Sequence, residues 1–481
     1  MRKASLAALL GFLTLGLIVV PASVAGAATT LVVDDNLACP SATFSTIQAA
    51  ENVAAPGDTI QVCAGTYAET VLVNVADLTF EGPQAGVDAR TRTAVPEAVV
   101  GAPGGGFVVS ADSVTIDGFT LTGVTNTNPF GGTALLTGPS TPGHDIVNNI
   151  VTGNIIGSYI NTDGVAPTTV QHNLFDDNNN PGPASGHGIY TDQGLKNVTI
   201  TENKFTGNDS AGVGISPFGG ANADITVSNN EFTGNGNAVY ALGASGANLT
   251  TNVDILDNTM DSQAASQVGV FGDVSGILID GNTITNGLAR GVRVIGSQDS
   301  DVTVSNNSIS GNALEGVDNE DTGLVVNAVH NWWGAADGPL GSTPGPPASW
   351  GIGSGDAVSA EVDFFPWYTD AAMTTLRTCD LTATAGVWLQ VRGTNAGQVV
   401  CGSPGADLIR AWRGSDLILG NGGHDHIYGG RGDDALIGGA GNDILAGNHD
   451  FDSIQGRGGT DSCKVGMEGG QTSSCQTLQA P

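Results

Sequence analysis

Through the middle of the chain, short runs of alternating apolar and polar residues recur at a near-constant interval. Each ends in an Asn and is followed by a second apolar pair and a turn. The phrase reads ITENKFTGN at Asn203, VSNNEFTGN at Asn230, ILDNTMDS at Asn258, IDGNTITNG at Asn282, VSNNSISGN at Asn307 and AVHNWWG at Asn331. These Asn residues lie 27, 28, 24, 25 and 24 residues apart, and Asn149 and Asn173 extend the series upstream with spacings of 24 and 30. Two-residue alternation without a 3.6-residue period predicts strands, and the interval is too short for a helix-containing repeat. It fits a coil of three short strands, stacked into a solenoid. With strands stacked at the usual spacing, a dozen or so coils form a rod roughly 55–60 Å long. Stacking places each Asn above the last, so their amides can bond along the rod. Asn also tolerates the left-handed backbone that a sharp turn needs.

From Gly402 the pattern changes to seven uninterrupted nonapeptides: GSPGADLIR, AWRGSDLIL, GNGGHDHIY, GGRGDDALI, GGAGNDILA, GNHDFDSIQ and GRGGTDSCK. Position six is Asp throughout: Asp407, Asp416, Asp425, Asp434, Asp443, Asp452 and Asp461. Position eight is apolar at Ile409, Ile418, Ile427, Leu436, Leu445 and Ile454, and position four is Gly except at Asp450. A Gly-rich turn can direct several carbonyls one way. With the Asp carboxylate they make an all-oxygen cage suited to Ca²⁺. The metal-site candidates are the seven aspartates with Gly420, Gly422, Gly429, Gly432, Gly438 and Gly441, best formed between Gly420 and Ala446. A glycine-rich acidic linker with chance periodicity does not account for an Asp register and an apolar register that coincide. Stacked carboxylates repel one another without ions, so calcium binding and folding are expected to be coupled.

Composition adds the compartment. Arg2 and Lys3 precede an apolar run from Leu6 to Val20, and Ala25-Gly26-Ala27 supplies small residues, the pattern of a secretory leader over residues 1–27. The run is short for a membrane span, and no later segment is apolar enough for one; export is expected. The net charge of −32 becomes −34 without the two leader cations (13 basic against 47 acidic residues). Such a surface repels nucleic acid and anionic membranes, and polyuronates unless divalent cations intervene. Six cysteines fall into local pairs, Cys39 with Cys63, Cys379 with Cys401 and Cys463 with Cys475. Proximity alone selects this pairing among fifteen. Zinc is the competing reading, but no C-x-x-C spacing occurs.

The Asn repeat resembles the right-handed parallel β-helix, or pectin-lyase-like, family. FSTIQAAENVAAPGDTIQVCAGTYAETVLV, Phe44 to Val73, is similar to that family's N-terminal segment, with Ile47 to Val53 as an amphipathic cap over the solenoid's open end. HNWWG at His330 to Gly334 resembles a motif that closes such helices. The nonapeptides look like RTX repeats, G-G-x-G-x-D-x-U-x, which form a parallel β-roll. By that resemblance each ion sits between neighbouring turns. The expected fold is all-β: a leader over 1–27, a right-handed parallel β-helix solenoid over 28–370, a connector over 371–401, an RTX β-roll over 402–464 and a tail over 465–481.

Aligning the strands before the Asn turns puts Ile189, Val213, Val239, Val268, Val292 and Val317 inside. Tyr190, Asp192, Tyr240, Phe271, Arg293, Asp318 and Glu320 then point outward, an aromatic and ionisable strip of the kind a glycan groove needs. Asp318 and Glu320, two residues apart on one strand, stand about 6–7 Å apart on one face, within range for a carboxylate pair; as solvated residues, Asp318 takes Arg293 as its partner. His187, Tyr190 and Asp192 form a second candidate group. β-helix alginate epimerases and lyases use Tyr, His and Asp on such a face, and epimerases of that kind also carry RTX modules. Their Tyr-Gly-Phe-Asp-Pro-His motif is absent, since this chain reads GHGIYTDQG, and no pectate-lyase cluster of calcium-binding Asp with catalytic Arg is present. Two functions stand: a secreted calcium-binding protein that binds or processes extracellular polysaccharide as lyase, epimerase or hydrolase, or a non-catalytic surface or matrix protein that uses the rod as a scaffold.

Overall fold

The computed structural model describes residues 28–93, 95–127, 131–244, 246, 248–296, 301–321, 324–340, 351–383 and 394–478. The leader expected over residues 1–27 lies outside them. Three parallel sheets of 13, 11 and 10 strands are wound by a chain that visits each in turn, and sheets of six and five strands follow. One coil passes through Thr168–Gln171, Leu174–Asp176 and His187–Gln193, and the next through Lys196–Thr201, Lys204–Thr206 and Ala211–Gly220.

The register explains why the coils stack. Ile189, Val213, Val239, Val268, Val292 and Val317 are successive partners in the 11-stranded sheet, and all six are fully buried. In the 10-stranded sheet Phe175, Phe205 and Phe232 stack face to face, with centroids 4.9 and 4.8 Å apart. The helix Ile47–Glu51 caps the N-terminal end, burying Ile47 and Ala50. Glu69 accepts hydrogen bonds from the Ile47 and Gln48 N–H groups at its first turn, which lack partners within the helix.

At the corners, the backbone N–H of Asn149 donates to Asn173 Oδ1 at 2.8 Å, and the pattern repeats through Asn203, Asn230, Asn258, Asn282, Asn307 and Asn331. From Asn149 to Asn307 the side-chain N–H₂ also donates along the stack and to a strand carbonyl, as in Asn230 to Asn258 Oδ1 and the Ile200 carbonyl. The left-handed backbone expected at these Asn residues falls one position earlier, at Asn148, His172, Glu202, Asn229, Asp257, Gly281, Asn306 and His330. The ladder Asn must turn its amide inward, so its predecessor makes the bend. Asn154, Asn178, Asn208, Asn235 and Gln263 build a second ladder at the next corner, where Gly-Asn recurs at 153–154, 207–208 and 234–235.

Successive nonapeptides alternate between the six-stranded and five-stranded sheets, stacking with a period of 18 residues. Between them lie Ile409, Ile418, Ile427, Leu436, Leu445 and Ile454, all fully buried. Leu381–Thr382 and Val399–Cys401 join the six-stranded sheet before the first repeat, and Gly470–Ser473 and Thr477–Leu478 extend the two sheets after the last. The three cysteine pairs are disulfides: Cys39–Cys63, Cys379–Cys401 and Cys463–Cys475.

The inner strands of the six-stranded sheet are buried on both faces. Its outer residues Val399, Cys401, Leu417, Leu419, Ala435 and Ile437 belong to the same apolar cluster as Phe364 and Trp367 at the end of the solenoid. Arg457 donates to the Val362 carbonyl at 3.3 Å, and Ser473 donates to Glu361 at 2.6 Å. The roll thus covers the open C-terminal end, as Ile47–Glu51 covers the other.

Candidate functional site

Each position-six Asp sits at the foot of a Gly-rich turn, where strand begins. One carboxyl oxygen accepts the backbone N–H of the Asp 18 residues earlier: Asp425 Oδ1 from Asp407 at 2.7 Å, Asp434 from Asp416 at 2.9 Å, Asp443 from Asp425 at 2.8 Å, Asp452 from Asp434 at 3.0 Å and Asp461 from Asp443 at 2.9 Å. The other oxygen, Oδ2, is buried without a hydrogen-bond partner in Asp416, Asp425, Asp434, Asp443, Asp452 and Asp461. Asp407 differs: its Oδ2 accepts from the Ser403 N–H and hydroxyl at 2.6 and 3.0 Å, and its Oδ1 is the unpartnered atom.

A buried carboxylate oxygen without a partner is costly. Burial pushes the carboxyls of Asp416, Asp425 and Asp452 up to about 7 and that of Asp434 up to about 9; Asp443 and Asp461 move in the same direction. A bound cation removes both penalties. Among the described residues no three His, Cys, Asp or Glu side chains converge. A site here takes its remaining ligands from backbone carbonyls, the donor set Ca²⁺ accepts.

The glycines fit that arrangement. A Cβ on Gly420 falls 2.7 Å from Asp425 Oδ2, and one on Gly438 falls 2.5 Å from Asp443 Oδ2; Gly429 lies equally close against Asp434. Gly432 and Gly441, at position four, have φ of 113° and 141°, and Asp450, the one non-glycine there, is also left-handed at 71°. Gly422 lies against the Pro404 and Ala440 carbonyls at a distance a Cβ tolerates.

On the 11-stranded sheet the structure brings His187, Tyr190 and Asp192 together and adds two tyrosines. His187 is 4% exposed. Its Nδ1 faces the Ala184 carbonyl at 2.8 Å and so carries the proton, leaving Nε2 to accept from the Tyr240 hydroxyl at 2.8 Å. Burial lowers its pKa, so the ring is neutral. The contact skips a coil and passes over Gly214, where a Cβ falls 2.6 Å from the Tyr240 hydroxyl and 2.8 Å from the His187 ring. The Tyr159 and Tyr190 rings are 5.7 Å apart, and the Tyr159 hydroxyl donates to Asp192. Two clefts open along this sheet, one of ≈340 Å³ reaching Tyr159 and Gln193 and one of ≈210 Å³ between Phe218 and Phe271. Tyr159 carries no repeat signature in the sequence. Gly214 has one, a glycine at an outward strand position between two tyrosines.

Asp318 and Glu320 occupy one strand end, but Asp318 is buried rather than solvated. Its partner is Arg290, not Arg293, which pairs with Glu320 at 2.8 Å. Arg290 lies on the connection before the strand, and its Nε also reaches Glu315 at 3.2 Å. Burial first and then the Glu315 charge push Asp318 up to about 6 against the pull of Arg290.

Residues 98–255 and 218–332 match the family model for the right-handed beta helix region, and residues 402–436 and 437–466 match that for the RTX calcium-binding nonapeptide repeat. No curated protein matches the chain. Among solved structures, pectate lyase Pel9A aligns at 14% identity over 70% of this chain and 78% of its own, with TM-score 0.37. The catalytic unit of the GH87 alpha-1,3-glucanase from Streptomyces thermodiastaticus aligns at 13% over 90% and 66%, TM-score 0.31. PfbA, a surface adhesin of Streptococcus pneumoniae, aligns at 11% over 90% and 85%, TM-score 0.27. With the parallel sheets and both repeat arrays in place, the chain is a right-handed parallel β-helix protein that carries C-terminal RTX calcium-binding nonapeptide repeats.

Proposed function

We propose that this is an extracellular, calcium-dependent polysaccharide-binding protein. The aspartates from Asp407 to Asp461, with carbonyls of the Gly-rich turns, hold Ca²⁺ between turns of the roll; the 11-stranded sheet presents the glycan groove. One observation carries the calcium reading: a row of buried carboxylate oxygens without hydrogen-bond partners. Calcium supplies positive charge and a preference for many oxygen ligands. The protein supplies the pre-aligned carboxylates. Three disulfides and millimolar calcium both suit an extracellular setting. Equilibrium dialysis of the full-length protein at millimolar Ca²⁺ tests it, and absence of uptake refutes it.

The glycan reading is supported by Tyr159 and Tyr190 beside Asp192, flanked by clefts along one sheet. Aromatic faces pack against sugar rings, and a carboxylate accepts from hydroxyls. Binding without turnover is favoured because both His187 nitrogens are engaged and the ring is buried. Tyr159→Ala/Tyr190→Ala abolishing retention on immobilised polysaccharide supports the groove; unchanged retention refutes it. Hydrolysis has one observation in its favour, Asp318 held up to about 6 beside Glu320, as an acid–base pair needs. New reducing ends that disappear in Glu320→Ala would establish it.

A further inference from the structure

The outer face of the five-stranded sheet carries a cleft of ≈500 Å³ lined by Arg410, Arg413 and Arg431 with Trp412, Tyr428 and His449, and with no carboxylate in its walls. Arg413 and Arg431 are register partners on adjacent strands. Like charges placed side by side destabilise a sheet unless a counter-charge joins them. Among the described residues the other arginines, Arg90, Arg92, Arg290, Arg293, Arg377 and Arg457, each pair with a carboxylate. The three in the cleft do not, in a chain with 47 acidic and 15 basic residues.

The aromatic residues are equally specific. The Arg410 guanidinium lies 5.4 Å from the centre of the Tyr428 ring, which steadies it on the cleft wall. Trp412 is 53% exposed, with φ at 80°, a conformation rare for a bulky side chain. The same position holds Asn421, Gly430, Gly439 and Asn448, which adopt it readily, and Arg457, also left-handed at 67°. A large ring held out to solvent on strained backbone marks a functional surface.

We propose that this cleft binds a sugar ring bearing an anionic substituent, carboxylate or sulfate, within an acidic polysaccharide. The guanidiniums clamp the anion in their fork geometry, and Trp412 and Tyr428 pack against the ring. The net charge of the chain does not cancel the cluster, because charges beyond about 8 Å are screened at physiological ionic strength. This inference rests on the polysaccharide reading but uses a different sheet and different residues.

Calorimetric titration of the full-length protein in millimolar calcium tests it, using oligogalacturonates, sulfated galactan oligosaccharides, neutral gluco-oligosaccharides of equal length and a single-stranded oligonucleotide. At least one acidic series is expected to bind, more weakly as salt rises. Arg413→Ala/Arg431→Ala and Trp412→Gly, the latter also relieving the backbone, are each expected to weaken it at least tenfold. Arg413→Gln and Arg431→Gln, singly, replace the double variant if its circular dichroism or calcium uptake is altered. Unchanged affinity in folded cleft variants, equal affinity for neutral sugars, or tighter binding of the oligonucleotide overturns the proposal. Loss of binding in Tyr159→Ala/Tyr190→Ala alone sustains the groove and overturns the cleft. Loss in the cleft variants alone does the reverse.

Discussion

Asp434 is enclosed on every side: Oδ1 holds the Asp416 N–H, Oδ2 has no partner, and Gly429 presses against it. Two opposite effects follow from one substitution. Asp434→Asn removes a buried carboxyl that without calcium must take up a proton to stay folded, so in chelator near neutral pH the roll is expected to gain roughly 1–3 kcal/mol. In saturating calcium it loses a ligand, and both affinity and denaturation midpoint are expected to fall. Titration with and without chelator reads both signs. In the solenoid, Asn230 donates through its side chain to Ile200 and Asn258 and accepts from Asn203. Asn230→Ala leaves several buried groups unpaired, and about 2–3 kcal/mol is expected to be lost in urea denaturation. The ladder was legible from spacing alone. The bend was not, because which of two adjacent residues turns depends on where the amide must point.

For the stacked turns as an element, acidity is the informative variable. The calcium-free roll holds Asp416, Asp425 and Asp452 up at about 7 and Asp434 at about 9, through burial. These values exceed those of the unfolded chain, so the folded form binds more protons. The stability they contribute is full below about pH 4 and lost as pH rises through 7 to 9. With chelator, the roll's midpoint is expected to be higher at pH 5 than at pH 8; with calcium the order reverses, because protons compete for the same oxygens. Identical pH profiles for wild type and Asp434→Asn would contradict this account. The catalytic candidates were legible only as an outward strip. Gly214 clears the path from His187 to Tyr240, two coils on and 53 residues away, and linear alternation does not show which neighbours such a gap lets meet.

At the scale of the whole molecule, the roll is also the lid of the rod. LIL at 417–419 and ALI at 435–437 are apolar at every position, whereas HIY at 426–428 alternates. Continuous apolar runs suit strands buried on both faces, but ILA at 444–446 on the five-stranded sheet is equally apolar and SIQ at 453–455 on the docked sheet is not, so the docked sheet is not identified by the runs alone. Ile437→Asp on the docked face is expected to lower the melting temperature of the solenoid, with Trp333 and Trp367 fluorescence as a readout, while calcium uptake persists. Leu445→Asp, between the roll's own sheets, is expected to abolish calcium uptake. If both substitutions leave the solenoid transition in place, the roll does not support the rod.

Fold class, coil spacing, the Asp register and the inward valines could all be read from the chain, because each is periodic and stacking turns a period into a column; the disulfide pairing followed from proximity in sequence. Only the tertiary structure decided that Arg290 rather than Arg293 holds Asp318, that three arginines stand together without carboxylates, and that the roll closes the rod. The period stacks Arg413 on Arg431 but does not show which acidic side chains stay away, and the other two depend on residues that no period relates, brought together where side chains of different coils and modules meet.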